Sequence, residues 1–170
     1  MKITAQTKWK AHRMNLPTFV CVLKSRLNKI KIKSMYPEYL VAPMREDLTS
    51  VGFESLKTTE EVEQVVKSDG TVFVVVNSVC GCAAANARPA AKMASQNEKR
   101  PTKLVTVFAG VDKAAVDQMR TYMLPYPPSS PAMALFKDGK LVHMIERHQI
   151  EGKSAQSIAD NLVQAFDVHC

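Results

Sequence analysis

The stretch Thr71-Val-Phe-Val-Val-Val76 shows no polar alternation. A run of β-branched and aromatic residues of this kind belongs to a strand covered on both faces, which puts it in the middle of a sheet. It leads directly into Asn77-Ser78-Val79-Cys80-Gly81-Cys82, and from Ala83 to Ala94 the composition turns to alanine-rich helix. Pro89 interrupts that helix. It has no N–H for the carbonyl of Ala85, so a kink is expected there. The chain must therefore deliver a cysteine pair to the junction of a central strand and a kinked helix.

The flanking segments supply the rest of one domain. Tyr36 to Val51 spaces Tyr39, Leu40, Met44, Leu48 and Val51 along one helical face, with Pro37 suited to the first turn. Thr58-x-x-Glu61 is a capping-box pattern, and the helix it opens carries Val62, Val65 and Val66 before Asp69-Gly70 ends it. Leu104 to Phe108 is a second apolar strand; joined to the first through the alanine-rich helix, it is expected to run parallel to it by a right-handed crossover. A helix from Lys113 to Met123 follows, then Pro125-Tyr-Pro-Pro-Ser-Ser-Pro131, which no regular element tolerates. Ala132 to Phe136 and Leu141 to Ile145 flank Lys137-Asp-Gly-Lys140, a hairpin signal, and Ser154 to Phe166 forms the last helix. These elements predict an α/β three-layer sandwich around a mixed sheet of about four strands.

Charge divides the chain. The whole sequence carries a formal +7, yet residues 1–34 hold nine Lys and Arg and no acidic residue, leaving 14 basic and 16 acidic residues, a net −2, in residues 35–170. Residues 1–34 are accordingly read as a basic extension, disordered or not native, with Met35 as the start of the domain. A nucleic-acid role, using Trp9 or Phe19 beside the cations, would rest on that extension alone and is not expected of the domain. Met14 to Leu23 is apolar but contains Asn15 and Pro17 and lacks a small-residue cleavage site, which argues against export. No apolar window is long enough to span a bilayer, so no membrane role is expected. The working compartment should be the cytosol, where a labile cysteine pair reads as catalytic.

The cysteine pair carries the chemistry. The N–H groups of a first helical turn lack partners and present partial positive charge, which stabilises a thiolate placed there. A Cys80–Cys82 bond requires a turn, because residues two apart on a strand lie near the upper limit for a disulfide. Gly81 is expected to supply the backbone freedom. So small a ring suits exchange better than permanent bracing. Structural zinc would need two further ligands from His143, His148, His169 or Cys170, and none sits at a finger spacing; no metal is expected.

Val41-Ala-Pro-Met-Arg-Glu46, Val74 to Ala84, Ala87-Arg-Pro-Ala90, Val105 to Gly110, Pro128-Ser-Ser-Pro131, Arg147-His148, Ile150-Glu-Gly152 and the terminal Ala165-Phe-Asp-x-His-Cys170 together resemble the bacilliredoxin family. These are the small thioredoxin-like Cys-Gly-Cys proteins of bacteria that use bacillithiol. The resemblance spans Met35 to Cys170 and implies a thioredoxin-like fold. It further implies a thiol-disulfide oxidoreductase that removes bacillithiol from S-thiolated client proteins, with disulfide isomerase activity by the same chemistry. By this resemblance Cys80 is the nucleophile and Cys82 the resolving thiol; bacillithiol is a co-substrate, and nothing is tightly bound.

The supporting residues are weaker readings. Pro131 after Ser130 is a candidate cis bond that would lie across from Cys80 and offer backbone groups to an extended substrate. Asn77 and Ser78 are placed to hydrogen-bond the turn. Arg88 is set either against a carboxylate of the small thiol or in solvent. His148, with Glu146, is a candidate proton shuttle. Cys170 and His169 are shared with the family without a derivable role, and Cys21 is assigned none. Two alternatives stay open: a general disulfide reductase or isomerase without bacillithiol preference, and a non-catalytic thiol sensor or metal-binding adaptor.

Overall fold

The fold is that of a computed structural model, which describes residues 34–170. The expectations for residues 1–33, including Cys21 and the basic arm, lie outside the described residues. The elements run α1 (Glu38–Thr49), β1 (Glu54–Ser55), α2 (Thr59–Val66), β2 (Thr71–Asn77), a π-helical turn (Ala83–Ala87) continuing as α3 (Arg88–Ala94), β3 (Lys103–Phe108), α4 (Lys113–Tyr122), β4 (Ala132–Lys137), β5 (Lys140–Ile145), α5 (Arg147–Ile150) and α6 (Ala155–His169).

All seven residues of β2 are buried, as its apolar run requires. The sheet order is β1-β3-β2-β4-β5. The strand β2 pairs parallel to β3, with Val74 opposite Val105, and antiparallel to β4, with Val74 opposite Ala134. The sheet is thus mixed, as expected, but has five strands. The extra one, β1, is two polar residues bonded to Val105 and Thr106, too short and too polar to leave a pattern.

The two faces of β2 feed two cores. Phe73 and Val75 pack with Leu48, Met133, Leu135 and the buried residues of α3 and α6. Val72, Val74 and Val76 pack with Val62, Val66, Val116, Met119 and Phe136 under α2 and α4. Phe73 meets Phe53 and Phe166 edge-on, with ring centroids at 5.8 and 5.2 Å. The result is helices on both sides of one sheet, which fixes the C-terminal end of β2 between α1 and the loop after β3.

Two local expectations shift. In α1 the inward residues are Val41, Arg45 and Leu48, whereas Tyr39 is 82% exposed and Leu40 is 42% exposed. The face is rotated because Arg45 turns inward to Asp112, with Nη1 to Oδ2 at 2.7 Å, and lies over the Phe108 ring at 5.4 Å. Asp112 in turn accepts from the Phe108 N–H, so this pair ties α1 to the loop that follows β3. The kink at Pro89 takes the form of a widened turn: the N–H of Arg88 reaches back five residues to the carbonyl of Ala83. The Thr58 capping box and the Asp138-Gly139 hairpin, with both residues at positive φ, form as expected.

Candidate active site

The strand β2 ends at Asn77, and the chain turns through Ser78 and Val79 to Cys80 before helical backbone begins at Gly81. Cys80 and Cys82 are joined in a disulfide, with Cα atoms 5.4 Å apart. The Cys80 sulfur accepts from the Ser78 hydroxyl at 3.3 Å and from the Ala83 N–H at 3.3 Å. The Cys80 carbonyl accepts from Ala83 and Ala84. Cys80 therefore occupies the N-terminal cap of the helical segment, where the Ala83 N–H is shared between its sulfur and its carbonyl.

Gly81 departs from expectation. Its backbone is helical, it is absent from the positive-φ glycines, and a Cβ there would meet nothing within 4 Å. The turn is the first turn of the helix itself, so no left-handed residue is needed. What Gly81 provides is a bare, exposed flank beside the sulfurs.

Beneath the turn lies a buried polar network. Asn77, fully buried, accepts the Ser78 N–H at 2.8 Å through Oδ1 and donates through Nδ2 to the Met44 carbonyl at 3.0 Å. Arg88 is only 6% exposed, which overturns the solvated reading of this residue. Its Nη1 donates to Asn77 Oδ1 at 3.2 Å and to the Ser78 carbonyl at 3.3 Å, and its Nε donates to Asp47 at 2.9 Å. These bonds commit Nε and Nη1 of Arg88 to the network beneath the turn. Asp47 also takes Lys92 at 2.7 Å. The Lys92 and Arg88 contacts hold its carboxyl below the ordinary range against partial desolvation.

The Ser130–Pro131 bond is cis. Ser130 and Cys80 line one cavity of about 360 Å³, together with Met35, Tyr36, Ser78, Val79, Ala109, Gly110, Arg120 and Arg147. Pro131 is buried behind Ser130, which opens the strand β4 beside β2. His148, in contrast, is exposed and lines a different groove, with Ile145, Gln149, Lys153 and Ser157. It is not brought to the cysteines, because α5 turns it toward α6. Glu146 serves this short helix locally: its N–H donates to Gln149 Oε1 at 2.8 Å.

The neighbour of His148 is the residue that faces the site. Arg147 donates to the Ser130 carbonyl at 3.2 Å and pairs with Glu151 at 3.1 Å. Arg120 reaches the cavity from the last turn of α4. Arg120 carries no sequence signal of its own, since it follows an ordinary amphipathic stripe, whereas Arg147 stands in one of the motifs that carry the resemblance, without a role attached to it. Among the described residues no group of three or more His, Cys, Asp or Glu is disposed to hold a metal. No helix among them is long and apolar enough to cross a membrane.

A mixed sheet between helices, with a cysteine pair closing the turn from its central strand into a helix, defines a thiol-disulfide oxidoreductase of thioredoxin-like fold. A solved chain described as having a thioredoxin fold is similar in architecture, at TM-score 0.53 and 19% identity, covering 66% of this chain and 95% of that one. The family model described as "Disulphide isomerase" matches residues 36–170. A bacilliredoxin of Cytophaga hutchinsonii is 57% identical over 133 residues, covering 78% of this chain and 98% of that protein. A bacilliredoxin of Geobacillus kaustophilus is 54% identical over 137 residues, covering 79% and 94%. The chain belongs to the bacilliredoxin family, and the reading as a non-catalytic adaptor gives way to an enzyme of thiol-disulfide exchange.

Proposed function

We propose that this protein removes bacillithiol from S-thiolated client proteins in the bacterial cytosol, with Cys80 as the nucleophile. The observation that carries the reading is the Cys80 sulfur held on the Ser78 hydroxyl and the Ala83 N–H and bonded to Cys82. The Cys80 thiolate attacks the bacillithiol sulfur of the mixed disulfide; a new S–S bond forms to Cys80, and the client leaves as its thiolate. The Cys82 thiolate then attacks Cys80, expelling bacillithiol and forming the Cys80–Cys82 disulfide. One client thiol and one small thiol are gained for one dithiol oxidised. Free thiol from solution returns the pair to its reduced state, or resolves the first adduct directly. No tightly bound cofactor takes part.

Ser130, whose carbonyl precedes the Pro131 bond, shares the cavity with Cys80 and offers an extended client chain a place to lie. Every group invoked falls within residues 35–170. A second reading, general disulfide reduction or isomerisation without preference for bacillithiol, is favoured by the match to the disulphide isomerase family. The two are separated by offering one client protein as its bacillithiol and its glutathione mixed disulfide. Faster removal of bacillithiol is expected; equal rates would leave the oxidoreductase and remove the specific co-substrate.

A further inference from the structure

Among the described residues, the cavity that holds Cys80 is lined by two arginines and by no carboxylate. Arg147 is braced by the Ser130 carbonyl and by Glu151, so its position is set while part of its fork stays open. Arg120 is different. Its Nε–H is buried and meets no acceptor among the described residues. That donor is shut off from the cavity, but Arg120 lines it and pairs with no carboxylate among the described residues, so the charge of its guanidinium is unspent there. The acceptor that fits a planar fork best is a carboxylate, taken by two parallel N–H bonds. Arg88, the other arginine near the turn, is spent on Asp47, Asn77 and Ser78.

We propose that Arg120, assisted by Arg147, binds a carboxylate on the low-molecular-weight thiol while that thiol's sulfur is presented to Cys80. The site selects acidic small thiols over neutral ones. This rests on the reading above, that the enzyme strips small thiols from clients, and it assigns the charge recognition within that step. A cation at this place also stabilises the departing acidic thiol when Cys82 resolves the adduct.

The test uses one neutral peptide client carrying either mercaptosuccinate, an acidic thiol, or thioglycerol, a neutral one, as its mixed disulfide. The full-length enzyme is expected to remove mercaptosuccinate about tenfold faster, the scale of one charge-assisted hydrogen-bonded contact. Arg120→Gln should erase that preference while leaving the thioglycerol rate within about twofold, and Arg120→Lys should retain part of it. Arg147→Gln should lower the preference less. Equal rates for the two probes in the unmodified enzyme, or an equal loss on both in Arg120→Gln, would overturn the assignment while leaving demodification intact. Removal of neither probe would sink the demodification reading and this one with it.

Discussion

Arg88 and Asn77 stand eleven residues apart in the chain and are joined by a 3.2 Å hydrogen bond from Nη1 to Oδ1, directly beneath the cysteine turn. The same Nη1 reaches the Ser78 carbonyl, and Asn77 itself holds the Ser78 N–H. The residue that presents a hydroxyl to Cys80 is thus held by its backbone on both sides. The residues beneath the turn are tied together by a charged side chain that the fold has buried.

Arg88→Met is expected to destabilise the protein by about 2–4 kcal/mol, because Asn77 Oδ1, the Ser78 carbonyl and Asp47 all lose a charged donor. A surface arginine would shift stability by no more than about 0.5 kcal/mol. Urea unfolding of the reduced protein measures the difference. A change within that surface range would show that the network bears little of the fold.

Cys80→Ser should abolish exchange, and Cys82→Ser should accumulate a mixed disulfide on Cys80. Intact-mass spectrometry after one turnover reads both. Full activity in Cys80→Ser, with no 80–82 bond in the oxidised protein, would end the assignment of roles.

Ser78→Ala removes one of the two donors to the Cys80 sulfur and leaves the Ala83 N–H in place. Its loss should cut the rate of Cys80 alkylation near neutral pH about three- to tenfold, as expected for one hydrogen bond to a charged acceptor shared with a helix terminus. Stability should hardly change. An unaltered alkylation rate would mean that the helix N–H alone supports the thiolate.

Asp47 provides a pH signature. Its carboxyl, ordinarily near 3.8, is lowered in the folded protein by hydrogen bonds from Lys92 and Arg88. A group depressed on folding adds stability that is fully present above its unfolded value and is lost as pH falls through its folded value. The stability gap between the parent and Asp47→Asn should therefore be widest at neutral pH and close on acidification below the ordinary carboxylate range. Urea midpoints taken across that range check it; a gap independent of pH would place the effect in packing.

Much of the fold was legible because it is written in local pattern. The unbroken run from Thr71 to Val76 announced a doubly covered strand, Thr58 with Glu61 announced a capped helix, and Asp138-Gly139 announced a tight hairpin. The cysteine turn was legible for the same reason, since strand, pair and helix are consecutive. What was hidden depends on partners far away in sequence. Arg45 points inward because Asp112, 67 residues on, is there to meet it, so the periodicity of α1 alone misplaces its buried face. Arg88 reads as a surface residue until Asp47 and Asn77 close over it. Arg120 on α4 and Arg147 on α5 share a cavity with Cys80 only in the folded chain, and His148, one residue further, is carried away.

The widened turn at Ala83–Ala87 acts as a spacer. Each helical residue advances the side-chain direction by roughly 100°. Removing one alanine would let an ordinary helix run straight from the cysteines, but it would swing everything downstream by that angle. Arg88 would leave Asn77, and the stripe of Ala90, Ala91 and Ala94 would no longer meet α6. The proline and the extra residue before it are therefore a matched pair: together they let one continuous rod begin in phase with the cysteine turn and finish in phase with the core.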